Sequence, residues 1–330
     1  MIITRTPLRI SFAGGGSDIP AFYRRSPGAV VSTAINKYIY ITVNKKFDKK
    51  IRASYSVTEI VDSVDEVKHE LIREAMKLTG IDGGIEITSI SDIPSQGTGL
   101  GSSSTYTVGL LKALYAYKGK HVGAERLAQE ACQIELERCG KPIGKQDQYI
   151  AAYGGFGHFQ FNPDESVFAA PIICSPETKK KVQESLLMLY TGMTRAADTI
   201  LQEQSANAQS DAEKRRSLRV MVRMADELRE ALSRNDVESF AEILHEGWME
   251  KKKLAAGISN ERIDEWYSVA RQNGAIGGKL LGAGGGGFLL LFACPEQQDQ
   301  ITRALPELEP INFRFEPQGS KVIYVEENET

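Results

Sequence analysis

The sequence lacks most features that mark a secreted, metal-bound or membrane-embedded chain. Its 330 residues include four cysteines, Cys132, Cys139, Cys174 and Cys294, and no Cys-x-x-Cys pair. The four histidines, His69, His121, His158 and His245, are scattered, so zinc-ligand spacing is absent. Free thiols in a reducing cytoplasm are the expected state. The longest apolar run, FLLLFAC at 288–294, is too short to span a bilayer. Arg5 and Arg9 interrupt the opening segment MIITRTPLRISF, so no leader is expected there. There is no basic excess either: 40 Lys and Arg face 43 Asp and Glu, a net charge of −3. That balance argues against a general nucleic-acid binder, while a local basic pocket for a small anion stays open. Internal repeats and low-complexity tracts are missing. So is a Walker A motif, because Lys145 and Lys279 follow glycines without its spacing or its Ser/Thr.

What is present is an ordinary globular composition, 42% hydrophobic and 25% charged, long enough for about two domains. The first half begins with β-branched and aromatic segments, IITRTPLRISF, AVVSTAINKYIYITVNKK and KIRASY, which read as strands. A helix is expected near Glu66–Thr79 with Gly80 as its stop, then a strand at GIEITSI. A second helix is expected from about Gly123 to Cys139. Its inner stripe is Ala124, Leu127, Ala128, Ala131 and Cys132, and the same spacing continues to Glu135. A carboxylate there is costly unless something cationic meets it. Strands return at GGFGHFQF and SVFAAPI. The polar stretch SPETKKKVQ, near 175–183, is a candidate domain boundary. Beyond it come a strand (LLMLYTG), a long helix through Leu218, Met221, Val222, Ala225 and Leu228, and helices near 236–250 and 260–272. The run Lys251-Lys252-Lys253 reads as a solvated helix face. Strand signals at GAIGGKLLG, FLLLFAC and KVIYVEE close the chain. The mixture implies an α+β protein.

The strongest motif is Pro94-Ser95-Gln96-Gly97-Thr98-Gly99-Leu100-Gly101-Ser102-Ser103-Ser104, between a strand and a helix. Glycines let backbone amides approach a ligand, and a helix N-terminus favours polyphosphate. The serine hydroxyls can bond phosphate or ligate Mg²⁺. The plain alternative is a Gly/Ser turn with a serine N-cap. Gly282, Gly284 and Gly287 satisfy Gly-x-Gly-x-x-Gly, yet they precede a strand instead of opening a helix. GAGGGG therefore reads as a tight loop between two strands.

Three blocks, TPLRISFAGGGSD (6–18), IPSQGTGLGSSSTY (93–106) and KLLGAGGGGF (279–288), resemble in order the three motifs of the GHMP kinases. The resemblance implies ATP- and Mg²⁺-dependent phosphorylation of a small-molecule hydroxyl in a cleft between two domains. Residues 1–178 would form a ribosomal-protein-like N-terminal domain and residues 179–330 a ferredoxin-like C-terminal one. Within the family, RISFAGGGSDIPAFY and YTGMTRAA look most like sugar-1-kinases acting on D-glycero-D-manno-heptose 7-phosphate, with fucokinases close behind. Gly15 and Gly16 depart from the Glu-His of galactokinases.

The resemblance also implies roles. Asp147, in GKQDQY, would be the base and Arg9 its cationic partner. Ser103 and Glu135 would hold the metal; the alternative for Glu135 is an ion pair with Arg138. Pro94 and Gly97 to Ser104 would cradle the nucleotide. Gly14, Gly15, Gly16, Ser17 and Asp18 would meet the acceptor, although Asp18 can also be an N-cap to a short helix at Ile19–Tyr23. Arg195, Lys279, Gly284 and Gly285 complete the substrate set, with Arg195 and Lys279 as anchors for a substrate phosphate or as plain surface charge. Ser54, Tyr55 and Val61 would line an adenine pocket by analogy alone. The expected partner is a sugar or sugar phosphate, with no nucleic acid or membrane, in a monomer or homodimer.

Overall fold

The computed structural model describes residues 1–94, 97–193 and 197–326. The chain opens with β1 (Ile2–Ala13), a short helix α1 (Pro20–Tyr23) and the long strand β2 (Gly28–Lys45). Strands β3 (Ile51–Ser54) and β4 (Thr58–Val61), helix α2 (Glu70–Thr79) and β5 (Ile85–Ser91) follow. Then come α3 (Ser102–Tyr117), α4 (Ala124–Cys132), a π-helical turn (Gln133–Arg138), α5 (Gln146–Tyr153), β6 (Phe156–Phe161) and β7 (Val167–Pro171). The rest comprises α6 (Pro176–Ser185), β8 (Leu186–Tyr190), α7 (Ala197–Ser210), α8 (Ala212–Ser233), α9 (Glu238–Lys252) and α10 (Glu261–Gln272). It ends with β9 (Gly277–Leu280), β10 (Phe288–Phe292), α11 (Pro295–Ala304), β11 (Glu309–Pro310) and β12 (Lys321–Val325).

Two sheets organise this α+β fold. The larger runs β12-β1-β2-β5-β3-β4, with β6 on β2 and β7 on β6. β2 is long enough to serve two partners: Gly28–Thr33 pairs with β6 and Ile39–Lys45 with β5. Pro7 cannot donate to a ladder, and the β1–β2 register shifts between Pro7 and Leu8. The smaller sheet runs β11-β8-β10-β9, all antiparallel. In chain order that is fourth, first, third, second strand, with helices between first and second and between third and fourth. This is the ferredoxin-like arrangement.

Several expected elements shift for local reasons. α2 starts at Glu70, after a 3₁₀ turn at Val64–Glu66, and Gly80 ends it in the left-handed region, φ 66°. The expected helix from Gly123 to Cys139 changes at Gln133 into the π turn. The polar stretch at 175–183 is itself helical, because Ser175 Oγ accepts from the Thr178 amide and caps α6. The expected long helix through Leu218 and Leu228 is α8, with Asp211 capping it through the Glu213 and Lys214 amides, and α7 precedes it as a separate helix. Among the described residues, no helix is long and apolar enough to cross a membrane.

The α3 helix packs on β1 and β2, and α8 also lies on these strands. Phe12 therefore touches Phe156 from the first half and Phe240 from the second, with ring centroids 5.6 and 5.0 Å apart. Phe240 of α9 in turn meets Phe292 of β10 at 5.5 Å, so this run of aromatic contacts links the two sheets.

Candidate active site

The cleft has a volume of about 560 Å³ and draws its lining from β1, the loop before α3, the start of α5, α9 and the β9–β10 loop. Arg9 and Asp147, 138 residues apart, form its central pair. Arg9 Nε and Nη2 donate to Asp147 Oδ1 and Oδ2, both at 2.7 Å. Arg9 Nη1 donates to the Gly99 carbonyl at 2.5 Å. Arg9 is buried and lines the cleft from β1, beyond the Ile2–Arg5 stretch that pairs with β12. A planar guanidinium with both carboxylate oxygens engaged fixes the orientation as well as the charge. Asp147 sits in the first turn of α5, where the helix dipole favours an anion.

The phosphate-loop sequence folds to present amides and hydroxyls. Gly99 and Gly101 take φ of 79° and 76°, the left-handed region that side chains avoid. Gly101, not a serine, is the N-cap of α3, and no side chain caps it. Among the described residues, Thr98 Oγ1 and Ser102 Oγ are buried without a hydrogen-bond partner. Each unpaired buried hydroxyl costs about 1–3 kcal/mol, so a ligand that supplies partners is favoured here. Gly97, Thr98, Gly99, Gly101, Ser102, Ser103 and Ser104 line the cleft, whereas Leu100 is fully buried in the core.

The glycines of the β9–β10 loop serve close packing against this loop. A Cβ on Gly282 would stand 2.3 Å from Gly99 Cα, and one on Gly287 would stand 2.4 Å from the Thr98 carbonyl oxygen. The two glycine-rich segments thus touch backbone to backbone. Gly284 lines the cleft.

Glu135 is fully buried on the π turn, a device that re-aims a side chain within a helix. Ser103 Oγ donates to its Oε1 at 2.8 Å, and Gln148 Nε2 to its Oε2 at 2.6 Å. Burial pushes its pKa up to about 7, against those stabilising bonds. Arg138 does not reach it; Arg138 Nη1 lies 3.8 Å from Glu74 Oε2.

Asp18 does not cap α1, whose N-cap is Ile19. Its Oδ1 accepts from the Gly16 amide at 2.9 Å and its Oδ2 from the Gln146 amide at 3.1 Å. Burial raises its pKa, and the Asp147 charge adds to the rise. Gly16 and Asp18 line the cleft. Ser17 turns away, with its hydroxyl donating to the Ala29 carbonyl at 3.0 Å. Lys279 is buried in the cleft wall, donating to the Phe12 carbonyl at 3.2 Å. Burial and the neighbouring Lys251 and Arg9 charges hold its pKa well below the usual lysine value. Arg195 lies outside the described residues. Ser54, Tyr55 and Val61 are not part of the cleft lining; the Tyr55 hydroxyl donates to Glu59 at 2.8 Å.

Lys251 is what the sequence reading missed. Reading Lys251-Lys252-Lys253 as one solvated face fails, because a helix separates neighbours by a large angle. Lys251 is buried and lines the cleft, while Lys253 is largely exposed. Phe240, Leu244, Gly247 and Trp248 form the buried stripe of α9, and Lys251 continues it. That spacing was the available signal.

The model of the GHMP kinases N terminal domain matches residues 65–155, and that of the GHMP kinases C terminal matches residues 228–310. The chain is 31% identical to a D-glycero-alpha-D-manno-heptose 7-phosphate kinase of Campylobacter jejuni, over 97% of this chain and 98% of that one. The chain belongs to the GHMP kinase family. Its fold also matches a D-glycero-D-manno-heptose 1-phosphate kinase structure from Bacteriodes thetaiotaomicron, with TM-score 0.81, 26% identity and coverage of 99% and 100%. A putative sugar kinase structure from Campylobacter jejuni gives TM-score 0.79 at 30% identity, covering 97% of each chain. As a GHMP kinase, the protein uses ATP to phosphorylate a hydroxyl of a small molecule.

Proposed function

We propose that this kinase phosphorylates the anomeric hydroxyl of D-glycero-D-manno-heptose 7-phosphate, giving the 1,7-bisphosphate. The observation that carries the reading is the Arg9–Asp147 pair, set in one cleft with the phosphate loop. Likeness over nearly the full chain to a heptose 7-phosphate kinase supports the choice of acceptor. In this reading the loop amides and hydroxyls from Gly97 to Ser104 hold the nucleotide's phosphates. Asp147 accepts the proton of the attacking hydroxyl as the phosphoryl group transfers in line. Arg9 holds that carboxylate in place through both of its oxygens and screens charge on the moving group. Asp18 accepts hydrogen bonds from sugar hydroxyls, and Lys279 offers N–H donors to a substrate phosphate. Residues 1–178 supply the loop and the base, and residues 179–330 the glycine loop and Lys279.

Ser103 and Glu135 suit Mg²⁺. Among the described residues this buried carboxylate accepts from the neutral Ser103 and Gln148, and burial raises its pKa, so a cation beside it would be favoured. Mg²⁺ needs one or two protein ligands besides phosphate and water, and it would neutralise phosphate charge here. Glu135→Gln is expected to weaken apparent Mg²⁺ affinity by about 10- to 100-fold, a range typical of altered metal-site shells. A rate-versus-Mg²⁺ titration measures this, and an unchanged curve would leave Glu135 a structural residue.

The acceptor is tested by screening free sugars and sugar phosphates for ATP-dependent turnover, with NMR of the product to locate the new ester. Turnover of free L-fucose far above any phosphorylated heptose would overturn the heptose assignment.

A further inference from the structure

One wall of the cleft carries donors that the chain itself leaves largely unused. Ser11 lies two residues beyond Arg9 on β1, so both side chains share a strand face. Its hydroxyl is buried and has no hydrogen-bond partner among the described residues. Lys251 reaches the same wall from α9. Among the described residues its ammonium donates to one group, the Gly282 carbonyl at 2.6 Å. An ammonium has three N–H donors, so the rest are open. Gln146 lies beside the base; its Nε2 stands 3.5 Å from Asp18 Oδ1, the limit of a hydrogen bond.

These three groups converge on one space, beside Gly15. A Cβ built there would stand 3.2 Å from Ser11 Oγ, 3.5 Å from Gln146 Nε2 and 4.0 Å from Lys251 Nζ. Gly15 is not in the left-handed region, so its backbone admits a side chain. What glycine preserves at this position is room. A hydroxyl, a carboxamide N–H and an ammonium around one opening are matched by an oxygen that accepts from all three. The cation makes an anionic oxygen the better occupant.

We propose that Ser11, Gln146 and Lys251 form an oxyanion subsite, in the room left by Gly15, that holds a phosphate oxygen during turnover. The inference rests on the phosphoryl-transfer reading of the cleft and deepens it. Two phosphates enter that reaction, the ester on the acceptor and the group leaving ATP, and they share this chemistry. Burial lowers the Lys251 pKa to about 8. The charged groups facing it are Arg9, Lys279, Asp18 and Asp147. Below pH 8 the ammonium is present and attracts phosphate; above it the attraction fades.

The test is calorimetric titration of inorganic phosphate into the ADP-loaded enzyme, which requires no assumption about the sugar. Lys251→Met keeps the stem length and removes the charge; phosphate affinity is expected to fall by at least about tenfold, the loss of one charge-assisted hydrogen bond. Gly15→Asp places a carboxylate among the three donors, and is expected to block phosphate. Wild-type affinity should decline as pH rises past 8, and the Lys251→Met profile should be flat there. Kinetics then identify the source. A KM for sugar 7-phosphate that rises more than that for free sugar assigns the subsite to the acceptor's ester. A kcat that falls equally on both assigns it to the transferring group. Unchanged phosphate affinity in both variants overturns the subsite whichever sugar is used. Failure of the heptose assay alone leaves the phosphate result standing.

Discussion

Asp147→Asn is expected to lower kcat by about 10²- to 10⁴-fold, the usual contribution of a positioned proton acceptor. The substitution keeps volume and removes basicity, so ATP binding at the loop is expected to persist. The geometry adds a second consequence. Both oxygens of Asp147 accept from Arg9. An amide offers one acceptor and turns an N–H₂ toward a guanidinium N–H, so a stability loss of about 1–3 kcal/mol should accompany the kinetic loss. Steady-state rates, ATP calorimetry and a denaturant midpoint separate these effects. Turnover at the wild-type rate would remove Asp147 from the chemistry.

The sequence reading reached the parts of the site that depend on local order. Glycines between a strand and a helix point to a phosphate loop, because the required backbone conformations are local. Glu135 was legible as an inward residue, because about three turns of helical spacing, from Ala124 onward, lead to it. The π turn slightly redirects that spacing without turning the carboxylate outward. The glycine run at 282–287 was legible as a loop between strands, but the reason for its composition was not. Gly282 and Gly287 answer to Gly99 and Thr98, almost two hundred residues earlier, and no local pattern encodes such a contact.

The same limit explains the residues that were read differently. Asp18 precedes a helix and has the chemistry of a cap, but the amide of Gln146 reaches its carboxylate from α5 and holds it elsewhere. Lys251 belongs to a triplet whose composition suggests solvent. Its burial follows from its place on the inner stripe of α9, and Asp18 and Asp147, from two other segments of the chain, partly offset its charge. Charge composition assigns a lysine run to the surface; helical phase and distant anions decide which one of the three turns in.

The interlocking of the two glycine loops yields the second large effect. Gly282→Ala is expected to destabilise the protein by about 4 kcal/mol and to raise KM for ATP. Two costs of about 1–3 kcal/mol combine, one for a side chain in the left-handed region and one for overpacking. Gly282 has φ 78°, and its added methyl would lie 2.3 Å from Gly99 Cα, too close for either backbone to stay in place. Displacement would move Gly99, whose carbonyl Arg9 holds and whose loop we propose as the nucleotide site, and would take the Gly282 carbonyl from Lys251. Gly119→Ala is the control: φ there is 67°, but nothing lies within 4 Å of the added methyl. Only the conformational cost applies to it, with no change in KM. Denaturant midpoints and ATP kinetics on the two variants decide the matter. Equal losses in both would mean that the contact between the loops contributes nothing beyond the backbone conformation of a single glycine.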